Sequence, residues 1–190
     1  MTDDFRGTWT HQPAAVERTE SGLRVTAVEG SDAWRLTSYG FIHDSEHALL
    51  ADLAHGNAVQ VSFSGDFTEQ FDQAGIFLRA SEKRWVKAGV EFSDGVLQLG
   101  AVVTDEYSDW SLAPVPDWHG HEITIRASWA DDALTIRARV GQEPFRLVRV
   151  LPFSAELDVQ AGPLVCAPTR AGLVVTFTGW EVTAPDDALH

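Results

Sequence analysis

Nearly every apolar run in this chain repeats with a period of two residues. In AVQVSFSGDF (58–67), Val59, Val61 and Phe63 alternate with Gln60, Ser62 and Ser64. EITIRASWA (122–130) sets Ile123, Ile125, Ala127 and Trp129 against Thr124, Arg126 and Ser128. ALTIRARVG (133–141) sets Leu134, Ile136, Ala138 and Val140 against Thr135, Arg137 and Arg139. GLRVTAVEG (22–30) and AGLVVTFTGWEV (171–182) follow the same rule. Successive side chains of a strand point to opposite faces, so each run buries one face. DDA (131–133) joins two of these runs as a hairpin turn. No capped segment sustains the 3.6-residue period of a helix. The nearest, EHALLADLAHG (46–56), is short and also alternates, so it is predicted as a strand. Roughly a dozen strands, about 8–12 residues apart and separated by Gly, Asp and Pro, predict a sandwich of two sheets. A single domain over 1–190 follows, with APDDALH (184–190) as a frayed tail.

The charge balance excludes classes of partner. The chain carries 14 basic and 28 acidic residues, a net charge of −14. Only Lys83 and Lys87 are lysines, and no basic cluster exists to neutralise phosphates. Neither nucleic acid nor an anionic membrane surface is an expected partner. The start MTDDFRGTWTHQP lacks the basic-then-apolar order of a secretory signal. No apolar run approaches the ~20 residues of a membrane-spanning helix. A cytoplasmic protein is expected. Cys166 sits in the apolar run GPLVCAP and is predicted to be a buried small apolar residue, not a nucleophile. No phosphate-cradling loop or GxSxG elbow appears, and no cofactor is expected. HDSEH (43–47) has two histidines four apart, without the helix or residue order of a zinc protease. WHGH (118–121) places His119 and His121 two apart. Neither spacing requires a metal, and none is predicted.

Four segments carry a resemblance. SDAWRLTSYGF (31–41), FDQAGIFLR (71–79), RWVKAGVEFSDGVLQLGAVVTDEYSDWS (84–111) and GPLVCAPTRAGLVVTFTGWEV (162–182) occur in this order and span nearly the whole chain. Together they resemble the domain-of-unknown-function 1349 family, also called the regulation-of-enolase-protein-like family. The resemblance implies an all-β, concanavalin A-like lectin/glucanase jelly roll. Two curved antiparallel sheets then leave one concave face. The family's name refers to an effect on enolase expression and implies no biochemical activity. The triplet KAG inside WVKAGVEF also looks like the central strand motif of alginate-type polysaccharide lyases on the same fold. There a tyrosine follows where this chain has Glu91, and the lyases' Gln-Ile-His segment is absent. The triplet therefore implies architecture, with small Ala88 and Gly89 where something approaches a curved strand closely.

On a jelly-roll sheet the parity of RWVKAGVEF (84–92) defines a groove. Val86, Ala88, Val90 and Phe92 have core parity. Trp85, Lys87 and Glu91 then line the concave face. Lys87 and Glu91 lie roughly 13 Å apart along the strand, too far to pair, so each needs a neighbouring strand or a ligand. In DQAGIFLRA (72–80), Gln73, Phe77 and Arg79 share the groove face. A hairpin through ASEK would bring Arg79 beside Trp85 and Gln73 beside Glu91. Gln98, Val102 and Thr104 have groove parity on the following strand. The candidate ligand-binding set is Gln73, Phe77, Arg79, Trp85, Lys87, Glu91 and Gln98. Aromatic faces among amide and charged groups suit a saccharide, whose ring stacks while its hydroxyls take directed hydrogen bonds. SDWS (108–111) is predicted as a turn, with Asp109 bonding nearby amides and Trp110 packing on a sheet edge. Arg126, Arg137 and Arg139 form a stripe on the 122–140 hairpin, predicted as a solvated face balanced by the excess acids.

The leading functional expectation is a carbohydrate- or polyol-binding domain without catalysis. A glycoside hydrolase or polysaccharide lyase using Glu91 is the enzyme alternative. Glycoside hydrolysis needs a second carboxylate across the groove, and parity supplies none: Asp72 has core-side or strand-end parity and Asp109 lies in a loop. A protein-interaction or regulatory module is the third reading. Neither the oligomeric state nor the ligand follows from the sequence.

Overall fold

Alternating runs become strands throughout the computed structural model, which describes residues 5–189. The first eight are β1 (Thr8–Trp9), β2 (Ala15–Thr19), β3 (Gly22–Thr26), β4 (Ala33–Arg35), β5 (Ile42–Asp44), β6 (His47–Leu53), β7 (Asn57–Gly65) and β8 (Gln73–Ser81). The rest are β9 (Arg84–Ser93), β10 (Val96–Asp105), β11 (Tyr107–Pro114), β12 (Ile123–Ala130), β13 (Ala133–Val140), β14 (Arg146–Pro152), β15 (Val159–Cys166) and β16 (Val174–Thr183). One seven-stranded sheet runs β1-β6-β15-β8-β9-β10-β11, and the other β14-β13-β12-β7-β16-β3-β2. Within both sheets neighbouring strands are antiparallel. The two pack face to face as a jelly-roll sandwich. Strands β4 and β5 form a separate two-stranded ribbon. Among the described residues no helix is long and apolar enough to cross a membrane.

The core is the one the alternation selects. Val59, Val61 and Phe63 of β7 and Ile123, Ile125, Ala127 and Trp129 of β12 meet Ala74, Ile76 and Leu78 of β8 and Val86, Ala88 and Val90 of β9. Trp129 is 1% exposed, and its Nε1 donates to the Phe153 carbonyl at 3.3 Å, so its one polar atom is satisfied in the interior. The segment 46–56 supplies β6, in agreement with its alternation. The β12–β13 hairpin turns at Asp131, whose φ of 53° suits the short polar side chains that tolerate the left-handed region. Cys166 is fully buried, and burial pushes its thiol well above the ordinary range, as expected of an inert apolar filler.

Three features depart from the sequence reading. SDWS forms part of strand β11, pairing with β10 over its whole length, and is not a turn. The segment 184–189 is held in place where fraying was expected. Arg126 Nε donates to Asp186 Oδ1 at 2.7 Å, Arg137 pairs with the same carboxylate, and Asp186 N donates to Ser128 Oγ at 2.9 Å. Both guanidinium groups also donate to tail carbonyls, those of Ala184, Ala188 and Leu189. Two of the three arginines in the supposedly solvated stripe are thus consumed by the chain's own tail, while Arg139 lies over the Phe145 ring. His190 falls outside the described residues. The third departure is the ribbon, which lies on the outer face of the first sheet.

Candidate functional site

The registers of the three central strands match the parity argument. Gln73 stands opposite Glu91, Phe77 opposite Lys87, and Arg79 opposite Trp85. Across the other edge of β9, Gln98 pairs with Glu91, Val102 with Lys87 and Thr104 with Trp85. Gly75, Gly89 and Gly100 form a row between these sets. A Cβ on Gly89 would overlap the Ala74 carbonyl oxygen, and one on Gly100 the Ser111 carbonyl oxygen. The strands approach so closely here that only glycine fits. The bare floor keeps space open between Lys87 and Glu91.

The ribbon divides the expected groove. Ala33 and Trp34 pack on Leu50, Phe77, Trp85, Val102 and Leu164, forming a second apolar cluster outside the main core. Trp85 is 4% exposed and Phe77 1%, their rings 5.4 Å apart. Both were expected to meet ligand, and both are instead packing beneath the ribbon. Arg79 is also displaced from that role. It lies 3.7 Å from Asp44 Oδ1 and 3.6 Å from Glu46 Oε1. Gln98 turns its amide onto the Ser93 carbonyl at 3.1 Å. None of these four lines the cavity that remains.

That cavity, of about 360 Å³, opens beside the ribbon and retains Gln73, Lys87 and Glu91. Lys87 Nζ donates to Asp32 Oδ1 and to Gln73 Oε1, both at 2.8 Å. Gln73 Nε2 in turn donates to the Phe71 carbonyl at 3.2 Å. Burial pulls the Lys87 ammonium down, but the surrounding negative charges, Asp32 foremost, and the Asp32 hydrogen bond together hold the group above its usual range. Glu91 is in the opposite condition. It is 8% exposed, and its Oε1 has no hydrogen-bond partner among the described residues. Burial pushes its carboxyl up to about 7; Lys87 opposes this and Asp32 and Asp94 reinforce it. The floor therefore offers a paired lysine–aspartate and a carboxyl poised to gain or lose a proton near neutrality.

An aromatic wall faces this floor. Trp34, Tyr39, Phe41 and His43 come from the ribbon and its connection, Trp110 from β11, and Phe71 from the loop before β8. Trp34 contacts Trp110 and Tyr39 edge to face at 6.0 and 5.7 Å, and Tyr39 stacks on Phe41 at 5.2 Å. Tyr39, Phe41 and Trp110 remain exposed, so their ring faces are available at the rim. Trp110 stands on β11, the edge strand of the first sheet, as expected of it, and from there it also lines the cavity. Asp32 is the second acid that parity could not supply. Ser45 Oγ accepts from Asp32 N at 3.1 Å, and the Asp32 side chain accepts from Ala33 N at 2.8 Å, which fixes the carboxylate over Lys87. The signal for Asp32, Trp34, Tyr39 and Phe41 was present in SDAWRLTSYGF, whose aromatics obey no strand parity.

Asp72, at the strand end, is also accounted for. It is fully buried and accepts from Thr68 N and Glu69 N, each at 3.0 Å, and pairs with Arg170 at 2.8 Å. It thus ties the loop bearing Phe71 to the turn bearing Pro168 and Thr169, which complete the rim. Its role is structural.

Comparison with known proteins places this geometry among relatives. The family model described as "Protein of unknown function (DUF1349)" matches residues 9–185. Regulation of enolase protein 1 of Saccharomyces cerevisiae is 36% identical over 190 residues, covering 100% of this chain and 96% of that protein. A solved structure of a functionally unknown protein from Saccharomyces cerevisiae superposes with a TM-score of 0.90 at 35% identity, covering 97% of this chain and 100% of that one. The carbohydrate binding module CBM66 from Bacillus subtilis superposes with a TM-score of 0.58 at 12% identity, covering 94% of this chain and 96% of that one. At that identity the last likeness is one of fold alone.

Proposed function

The chain belongs to the DUF1349 family of proteins of unknown function, and on that footing we propose that it binds a neutral carbohydrate or polyol in the cavity beside the ribbon, without catalysis. The observation that carries this reading is the aromatic wall facing Asp32, Gln73, Lys87 and Glu91 across one cavity of about 360 Å³. A sugar ring presents an apolar face to the wall and hydroxyls to the floor. The charge pattern favours a neutral ligand. The Lys87 ammonium is already neutralised by Asp32 at 2.8 Å, so an acidic saccharide would meet Asp32 and Glu91 with no free cation opposite them. The fold shared with a carbohydrate binding module is consistent with this reading.

The test is a titration with neutral monosaccharides, oligosaccharides, polyols and uronic acids, followed by tryptophan fluorescence and calorimetry. A saturable response to neutral members, lost in Trp110→Ala, supports the proposal. A flat response across the panel from folded protein sinks it and favours a protein-interaction module.

One observation favours an enzyme as the second reading. Asp32 and Glu91 line the same cavity, Glu91 pushed up to about 7 and Asp32 paired with Lys87. Acid-assisted glycoside cleavage uses two carboxyl groups at one cleft, one of them raised by burial so that it can give up a proton. Release of reducing sugar that disappears in both Glu91→Gln and Asp32→Asn would establish it.

A further inference from the structure

Away from the cavity, Glu46 presents an unexplained cost. Its side chain is 1% exposed, and among the described residues neither carboxylate oxygen has a hydrogen-bond partner. A buried carboxylate normally collects several donors. Arg79 stands 3.6 Å from Oε1, near enough to balance charge but too far to donate a hydrogen bond. Asp44 and His11 converge on the same point. One donor atom from each of His11, Asp44 and Glu46 lies within 4.8 Å of the others.

We propose that His11, Asp44 and Glu46 form a site for a divalent transition metal. His11 Nδ1 lies 3.0 Å from the Glu46 carbonyl oxygen, so the ring donates its N–H there and leaves the Nε2 lone pair to coordinate. A backbone carbonyl holding the second ring nitrogen is the usual support of a metal-bound histidine. The surrounding loop is fixed as well. Thr10 Oγ1 donates to the same carbonyl at 2.8 Å, and His47 Nδ1 donates to the His11 carbonyl at 3.0 Å. His47 itself is not a ligand, since its Nε2 accepts from Val28 N at 3.0 Å.

One imidazole with two carboxylates suits Zn²⁺ or Mn²⁺; Ca²⁺ and Mg²⁺ favour sites built of oxygen alone. The ion would supply the positive charge that the Glu46 oxygens lack at bonding distance. It would also join three parts of the fold: the loop after β1, the end of β5 and the residue just before β6. Because β5 pairs with β4, the ion would pin the ribbon that carries Trp34 and His43 to the sheet edge.

The test uses the full chain stripped with a chelator and titrated with Zn²⁺ and with Mn²⁺ by calorimetry, with thermal unfolding in parallel. One equivalent should bind and raise the melting temperature. His11→Ala and Asp44→Asn, the first at a half-buried position and the second at an exposed one, should each weaken binding roughly tenfold or more while the apo protein still folds. His119→Ala should leave the affinity unchanged. Absence of binding at millimolar metal overturns the proposal, as does binding that survives His11→Ala or is lost in His119→Ala.

Discussion

Lys87 Nζ lies 2.8 Å from Asp32 Oδ1, which joins the middle of the first sheet to the approach of the ribbon laid across it. The two residues are 55 positions apart in the chain. Removing one partner strands the other charge in a site that is 7% exposed at the lysine side chain and 20% at the aspartate. Asp32→Asn should therefore cost about 2–4 kcal/mol in urea unfolding, at the low end of a buried pair because the aspartate is partly solvated. Adding Lys87→Met to Asp32→Asn should recover part of the loss. A double variant no more stable than Asp32→Asn alone would mean that Lys87 is satisfied by Gln73 without the aspartate.

Glu91 makes stability depend on pH in an unusual direction. Its carboxyl is raised from 4.5 to about 7, so the folded state holds the proton more tightly than the unfolded chain. That contribution is complete below about pH 4.5 and is lost as pH rises through about 7. The shift corresponds to about 3 kcal/mol between the two limits. Glu91→Gln keeps the neutral shape and cannot ionise. Its stability relative to the parent should rise between pH 5 and pH 8, measured by denaturant midpoints at each. An unchanged difference between those pH values would show that Glu91 titrates as an ordinary carboxylate.

Alternation made the sandwich legible because every core position of β7, β8, β9 and β12 repeats at two. The pairing of Gln73 with Glu91 and of Arg79 with Trp85 followed from the same parity and a short connection. The site was only half legible. Parity says which face a strand residue takes, but nothing about what lies on that face. The ribbon spans only Ala33–Arg35 and Ile42–Asp44, too short to show a period, and it turns through Leu36 and Ser38 at positive φ of 63° and 61°. That ribbon buries Trp85 and Phe77, brings Asp32 to Lys87 and supplies most of the aromatic wall. The cluster of His11, Asp44 and Glu46 was hidden for the same reason, since these residues meet only when the ribbon folds back on the sheet edge.

Trp110 and Trp85 should separate ligand binding from stability. Trp110 is 38% exposed on the cavity rim, whereas Trp85 is 4% exposed under the ribbon. Trp110→Ala should change stability by less than about 1 kcal/mol and abolish the saccharide response. Trp85→Ala should cost about 3–5 kcal/mol through the void it leaves. Fluorescence titration and denaturant unfolding of both variants check the pair. Retained saccharide binding in Trp110→Ala would remove that ring from the site.

The C-terminal segment should prove to be part of the fold. Asp186 accepts from Arg126 at 2.7 Å and pairs with Arg137, with the two arginine side chains only 13% and 14% exposed. Deleting residues 184–190 strips Arg137 of Asp186 and of the Ala188 and Leu189 carbonyls, and leaves Arg126 with Thr183 Oγ1 at 2.8 Å in place of Asp186 and the Ala184 carbonyl. The loss should be about 1–3 kcal/mol, since each is a charged hydrogen-bonding group stripped of its partner. Because the groups are largely shielded from solvent ions, the loss should persist at high salt, unlike that of a surface ion pair. Urea unfolding of the full and shortened chains at low and high salt decides it. Equal midpoints would mean that water replaces the tail without cost and that the arginine stripe is a solvated face after all.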